Sequence, residues 1–201
     1  TKLFQRNSFA IEDVGSKAHH LHRLTEEGFR VPPFLPIAKQ DVALLFGPAI
    51  AQIEALFAPF SQAQASPDTM SRLLSVCEKA ETHLLQFEPD AGLLSELLQK
   101  VTEVFGHDFC ISVRSSAISE DAAEASFAGQ HKTYLYTHPS ELIANMKRSL
   151  ASAWSFGALS YRLQMGVSIQ HIEYAMVLQK MVFATRSGIA FSMNSNGNMA
   201  D

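Results

Sequence analysis

Two short apolar runs, at positions 109–113 and 132–136, bracket a polar loop, and this arrangement constrains the chain more than any other stretch. Both runs are rich in β-branched and aromatic residues and read as strands. Arg114 stands where the first strand ends, Ser115 and Ser116 follow it, and Ser126-Phe-Ala-Gly-Gln130 supplies small residues near the second. Small residues let backbone N–H groups approach a ligand closely. A guanidinium adds a permanent charge and forked donors that match phosphate oxygens. Composition alone leaves a second reading open, in which Arg114 pairs with Glu120, Asp121 or Glu124 as a surface ion pair worth about 0 to 1 kcal/mol.

Upstream, Gly15-Ser-Lys17 opens a run in which Ala18, Leu21 and Leu24 follow helical spacing and Gly28 ends it. Ser16 is the expected cap, which puts Lys17 in the first turn, where exposed N–H groups and the helix dipole favour an anion. A solvated lysine that happens to begin a helix is the plainer alternative. His19 and His22, one turn apart with His20 beside them, allow a metal reading, but no third ligand has clear spacing. Solvent-facing or groove-lining histidines fit better. The prolines at 32, 33 and 36 then enforce extended backbone leading into a buried strand.

From 39 to 60 apolar residues recur at three- and four-residue steps, with Gly47-Pro48 as the expected break between two helices. Residues 61–67 form the loosest internal boundary, and two amphipathic helices follow, the second closed by Gly106. A helical segment thus separates the lysine turn from the arginine loop. After residue 136, Pro139-Ser-Glu starts a helix through Trp154, another follows to Gly166, and residues 173–183 and 187–193 read as strands at hairpin distance. Gln179-Lys180 interrupts the first of these runs. It marks either a sheet edge or a place where backbone groups face a heterocycle.

Composition excludes several classes. A hydrophobic content of 47% suffices for a core, and a net charge of −4 with no basic run longer than Lys147-Arg148 argues against a nucleic-acid surface. No apolar run is expected to reach the roughly 20 residues that span a bilayer. Cys77 and Cys110 form no CxxC and no paired framework, as expected of reduced cysteines in the cytoplasm. Because the chain opens on Thr1 and stops at Asp201 just after a strand-like run, one expectation is a trimmed or cleaved piece.

Taken together the residues resemble the N-terminal, ATP-grasp-type nucleotide-binding region of the phosphoenolpyruvate synthase and pyruvate phosphate dikinase family. Gly15-Ser-Lys17 with Leu21 resembles the family's glycine-rich start, and Val31-Pro-Pro33 its next element. Val113-Arg-Ser-Ser-Ala117, Ser119-Glu-Asp121, Ser126-Phe-Ala-Gly-Gln130 and Thr133 match its most diagnostic stretch. Ser160-Tyr-Arg162, Gln179-Lys-Met-Val182, Ser187-Gly188 and Phe191-Ser192 continue the series in order. Ser16 and Ala18 replace usual glycines, and Asn194 stands where relatives often carry aspartate.

The resemblance implies an α+β (α/β) fold, the N-terminal portion of an ATP-grasp, with a mixed or antiparallel sheet, packed helices and a helical insertion. It divides the chain into a lysine-bearing start at 1–38, a helical segment at 39–108, and the arginine loop and hinge strands at 109–201. It also implies that Lys17 and Arg114 hold ATP phosphates, that a loop with Gly129, Gln130 and Thr133 closes over them, and that adenine lies against a hinge of Gln179, Lys180, Met181 and Val182. In an intact relative, phosphoryl passes from ATP to a carrier histidine and on to pyruvate. Related proteins phosphorylate glucans or a rifamycin instead, and a non-catalytic binding or regulatory module is a further alternative. The Mg²⁺ carboxylates, the carrier histidine and the pyruvate or phosphoenolpyruvate domains are expected outside this sequence, so these 201 residues alone are expected to be inactive. Neither nucleic acid nor a membrane is an expected partner.

Overall fold

The structure is a computed structural model that describes residues 3–4, 9–61, 63, 65–116 and 132–189. The sequence features assigned to Glu120, Asp121, Glu124, Gly129, Gln130 and Asn194 lie outside the described residues.

Helix α1, Ile11–Glu26, leads to strand β1, Phe34–Ile37, and then α2, Lys39–Phe57, which a single 3-10 turn extends through Phe60. Helices α3, Pro67–Gln86, and α4, Ala91–Phe105, follow. Ser66 caps α3 by accepting the Thr69 N–H at 3.1 Å, and Asp90 caps α4 by accepting those of Gly92 and Leu93 at 2.8 and 3.1 Å. Gly106 stops α4 with φ of +85°, a conformation that suits a residue without a Cβ. Strands β2, Ile111–Ser115, and β3, Thr133–Thr137, precede helices α5, Leu142–Ala151, and α6, Phe156–Gln164, and strand β4, Met176–Lys180, comes last.

Among the described residues the fold is mixed α/β, built on one four-stranded antiparallel sheet in the order β1-β4-β2-β3. In register, Leu35, Ile37, Ile111, Val113, Met176 and Leu178 share one face of the sheet. That face is closed by α2, α3, α4 and α5 through Phe46, Ile53, Leu73, Leu84, Leu97 and Met146. On the opposite face Val177 packs with Val14 and Ala18 of α1, with Ala38, and against Phe34. Pro36 is tolerated in β1 because that strand lies at the sheet edge, where a missing N–H breaks no ladder bond.

Three expectations change. Helix α2 does not break at Gly47-Pro48 but runs through both residues. Pro48 forfeits one helical bond and crowds the preceding turn, at a cost of about 3 kcal/mol. It sits on the exposed side, however, while Val42, Leu45, Phe46, Ala49, Ile53 and Phe57 bury the other side, and that burial wins. Lys39–Phe60 is also long and apolar enough to cross a bilayer by length and composition, contrary to the reading of the sequence, although its apolar stripe is spent on the core. Finally, residues 187–189 are not a strand, and 190–193 lie outside the described residues. Within the described sheet β4 lies between β1 and β2.

Candidate functional site

The site begins with a break in α1. Gly15 has φ 75° and ψ 167°, a region essentially reserved for glycine, so the helical turn that carries Lys17 starts directly after it. Gly15, rather than Ser16, therefore occupies the capping position, and it has no side chain to offer. The cap oxygen arrives from elsewhere: Ser116 Oγ accepts the Ala18 N–H at 3.2 Å, across 98 residues of sequence. Ser116 is itself fixed to the sheet, because its N–H donates to the Ala175 carbonyl at 2.9 Å. The two backbones meet so closely that a Cβ on Gly15 would lie 1.7 Å from the Ser116 carbonyl oxygen.

This junction shows that the helical segment separates the lysine turn from the arginine loop in sequence and not in space. Helices α2 to α5 pack on the far face of the sheet. Lys17, half-buried, is adjacent to the residue that Ser116 caps, and Arg114 lies two residues before Ser116 on β2. Arg114 pairs in register with Val177 of β4 and Thr133 of β3, so its side chain leaves the face on which α1 rides. One face thus carries the first turn of a helix with its lysine, the arginine and the exposed threonine.

The arginine is oriented from within the sheet. Its Nη1 donates to Gln179 Oε1 at 2.8 Å, and Gln179 is 8% exposed. Ser112 Oγ donates to the Gln179 carbonyl at 3.3 Å, which fixes that residue's main chain as well. Beyond it, the Lys180 N–H donates to the Pro33 carbonyl at 2.9 Å and the Met181 N–H to the Cys110 carbonyl at 3.0 Å. In an antiparallel ladder Pro33 would return a bond to the Lys180 carbonyl, but proline has no N–H to give. Lys180 and Val182 are exposed and Met181 is half-buried.

The three histidines of α1 have local roles. His19 Nδ1 lies 2.8 Å from the Phe9 carbonyl and His20 Nδ1 2.8 Å from the Ser16 carbonyl. His22 stacks on Phe9 with ring centroids 4.0 Å apart and reaches Glu26 at 3.5 Å. Among the described residues no group of three His, Cys, Asp or Glu side chains is placed to hold a metal ion. Both cysteines are free thiols, and burial pushes that of Cys77 up to about 12.

Sequence reasoning missed Gly15 and Ser116 as a pair, and it missed the side chain of Gln179. A glycine just before a lysine-bearing helix is a recognisable signal, whereas the partner 101 positions later is not.

The sequence profile of the family described as pyruvate phosphate dikinase, AMP/ATP-binding domain, matches residues 11–201. The phosphoenolpyruvate synthase of Pyrococcus furiosus is 28% identical over 215 residues, covering 90% of this chain and 26% of the relative. The rifampicin phosphotransferase of Streptomyces sviceus is 31% identical over 185 residues, covering 89% of this chain and 20% of the relative. The phosphoenolpyruvate synthase of Aeropyrum pernix is 42% identical over 85 residues, 42% of this chain and 10% of the relative. The chain therefore spans about a quarter or less of the length of these curated relatives.

Proposed function

The chain belongs to the pyruvate phosphate dikinase AMP/ATP-binding domain family, and from that premise we propose that it is the ATP-binding part of a phosphoenolpyruvate synthase-like phosphotransferase. Lys17 and Arg114 hold the phosphates, and the loop with Gly129, Gln130 and Thr133 closes over them. Adenine lies against Gln179, Lys180, Met181 and Val182. The observation that carries this reading is the Gly15–Ser116 junction, which brings the lysine-bearing turn to the face from which Arg114 projects. Two cations beside helix N–H groups suit a polyphosphate, since each charge-assisted bond is roughly twice as strong as a neutral one.

The hinge has its own support. The Lys180 carbonyl faces a proline that cannot donate to it, so it can accept from an exocyclic amine, as adenine requires. Among the described residues no group of three His, Cys, Asp or Glu side chains could hold Mg²⁺ by itself. Its carboxylates, the carrier histidine and the pyruvate site are assigned to parts of the family beyond these residues. The division at 1–38, 39–108 and 109–201 and a cytoplasmic setting with both thiols reduced belong to the same proposal.

A second acceptor has specific support. Phosphoenolpyruvate synthases and rifampicin phosphotransferases match almost the same share of this chain, so the nucleotide part serves either and the acceptor is selected elsewhere. Titration calorimetry with ATP tests the shared reading: Arg114→Ala weakens binding about 10-fold or more, the worth of a lost bond to a charged group. Equal affinities, or heat from neither protein, would leave a structural module instead. These 201 residues alone give no phosphate release or pyruvate-coupled turnover.

A further inference from the structure

We propose that Gln179 is the positioning residue for Arg114, holding the guanidinium over the hinge end of β4 without cancelling its charge; this rests on the nucleotide reading above. In register, Ser112 faces Gln179 and Arg114 faces Val177, so Gln179 lies diagonally across from Arg114 on the same face of the sheet. Diagonal neighbours are about 7 to 8 Å apart, a gap that only long side chains bridge. The 2.8 Å contact from Nη1 to Oε1 therefore has the two long side chains meet across that diagonal.

The partner's chemistry matters as much as its place. A buried amide oxygen needs a donor, and at 8% exposure Gln179 has little water to supply one. It accepts one of the five N–H groups of the guanidinium and leaves the rest of the fork for another acceptor. A carboxylate here would form the stronger pair and compete with phosphate for the same charge. A neutral amide orients the arginine and leaves its charge uncompensated. Because Ser112 Oγ also bonds the Gln179 carbonyl, the residue is fixed at main chain and side chain alike. The strand against which the base lies and the cation that meets the phosphates then move as one unit.

The test is a calorimetric cycle with ATP on the full 201-residue chain, with melting curves to confirm folding. Gln179→Met, which keeps the length and removes the acceptor, weakens binding about 10-fold. Gln179→Glu weakens it further, and in an Arg114→Ala background Gln179→Met costs less than about 2-fold. If Gln179→Met does not fold, Gln179→Glu carries the same cycle. Native affinity in Gln179→Glu, or a loss of undiminished size in the Arg114→Ala background, overturns the positioning role and leaves the nucleotide reading standing. Native and Arg114→Ala chains that bind ATP alike, or not at all, overturn both.

Discussion

Gly15 and Ser116 touch backbone to backbone, with the Ser116 carbonyl oxygen 1.7 Å from where any side chain at position 15 would begin. Gly15→Ala therefore meets two penalties, a φ of +75° that L-residues avoid and a collision with main chain that no rotamer relieves. The expected loss of stability is about 3 kcal/mol, read as a lower urea midpoint, and ATP affinity falls with it. A variant within about 0.5 kcal/mol of native would show that the junction does not hold.

Ser116→Ala removes the oxygen that caps the lysine-bearing helix and leaves the Gly15 contact alone. A lost cap costs about 1 kcal/mol. The lysine turn loosens as well, so ATP binding weakens by about 3-fold, the worth of a fraction of a hydrogen bond. Native affinity combined with the stability loss would confine Ser116 to a scaffolding role.

The ion pair between Lys147 and Glu88 predicts an asymmetry. Lys147 Nζ donates to Glu88 Oε1 at 2.7 Å and to the Leu85 carbonyl at 3.3 Å. The lysine side chain is 6% exposed and the glutamate 77%. Glu88→Ala strands a buried ammonium and costs about 2 kcal/mol or more, while Lys147→Met replaces the charge with apolar volume and costs less. Thermal unfolding of the two variants decides it, and the reverse order would refute the argument.

Cys77 predicts a pH dependence. Burial first, and the neighbouring carboxylate of Glu78 second, push its thiol from 9.0 to about 12. Above pH 9.0 the unfolded chain gives up this proton while the folded chain keeps it until about 12. The contribution to stability is thus intact below that range and is lost as pH rises through it. Urea midpoints fall more steeply between those values in the native chain than in Cys77→Ala. At about pH 8, iodoacetamide modifies Cys77 only as fast as the chain unfolds, because the thiolate is the reactive form.

Much of the fold was legible because its signals are local. Gly106, Ser66 and the helical spacing of Leu73, Cys77, Ala80 and Leu84 fix α3 and α4 wherever the sheet lies. Pro48 misled because a single breaker is weighed against burial along the whole of α2, which no short window contains. Of the strand expected at 187–193, residues 187–189 are not in a strand and the rest lies outside the described residues. At the site, residue type pointed to Lys17 and Arg114. Their neighbourhood depends on registers between strands far apart in sequence, as in the bond from Arg114 to Gln179 across 65 residues, and spacing does not encode that. The roles of Gly129 and Gln130 rest on the resemblance, because both lie outside the described residues.

Among the described strands, β4 comes last in sequence and lies between β1 and β2. Until Met176–Lys180 clears the ribosome, β1 and the β2–β3 pair have no strand between them, and each presents unpaired N–H and C=O groups. A translation product that stops short of residue 176 is therefore two unjoined sheet edges over a half-closed core, rather than a smaller folded unit. Stalled or prematurely terminated chains of this kind are expected to aggregate, or to occupy chaperones, in proportion to how long β4 is delayed.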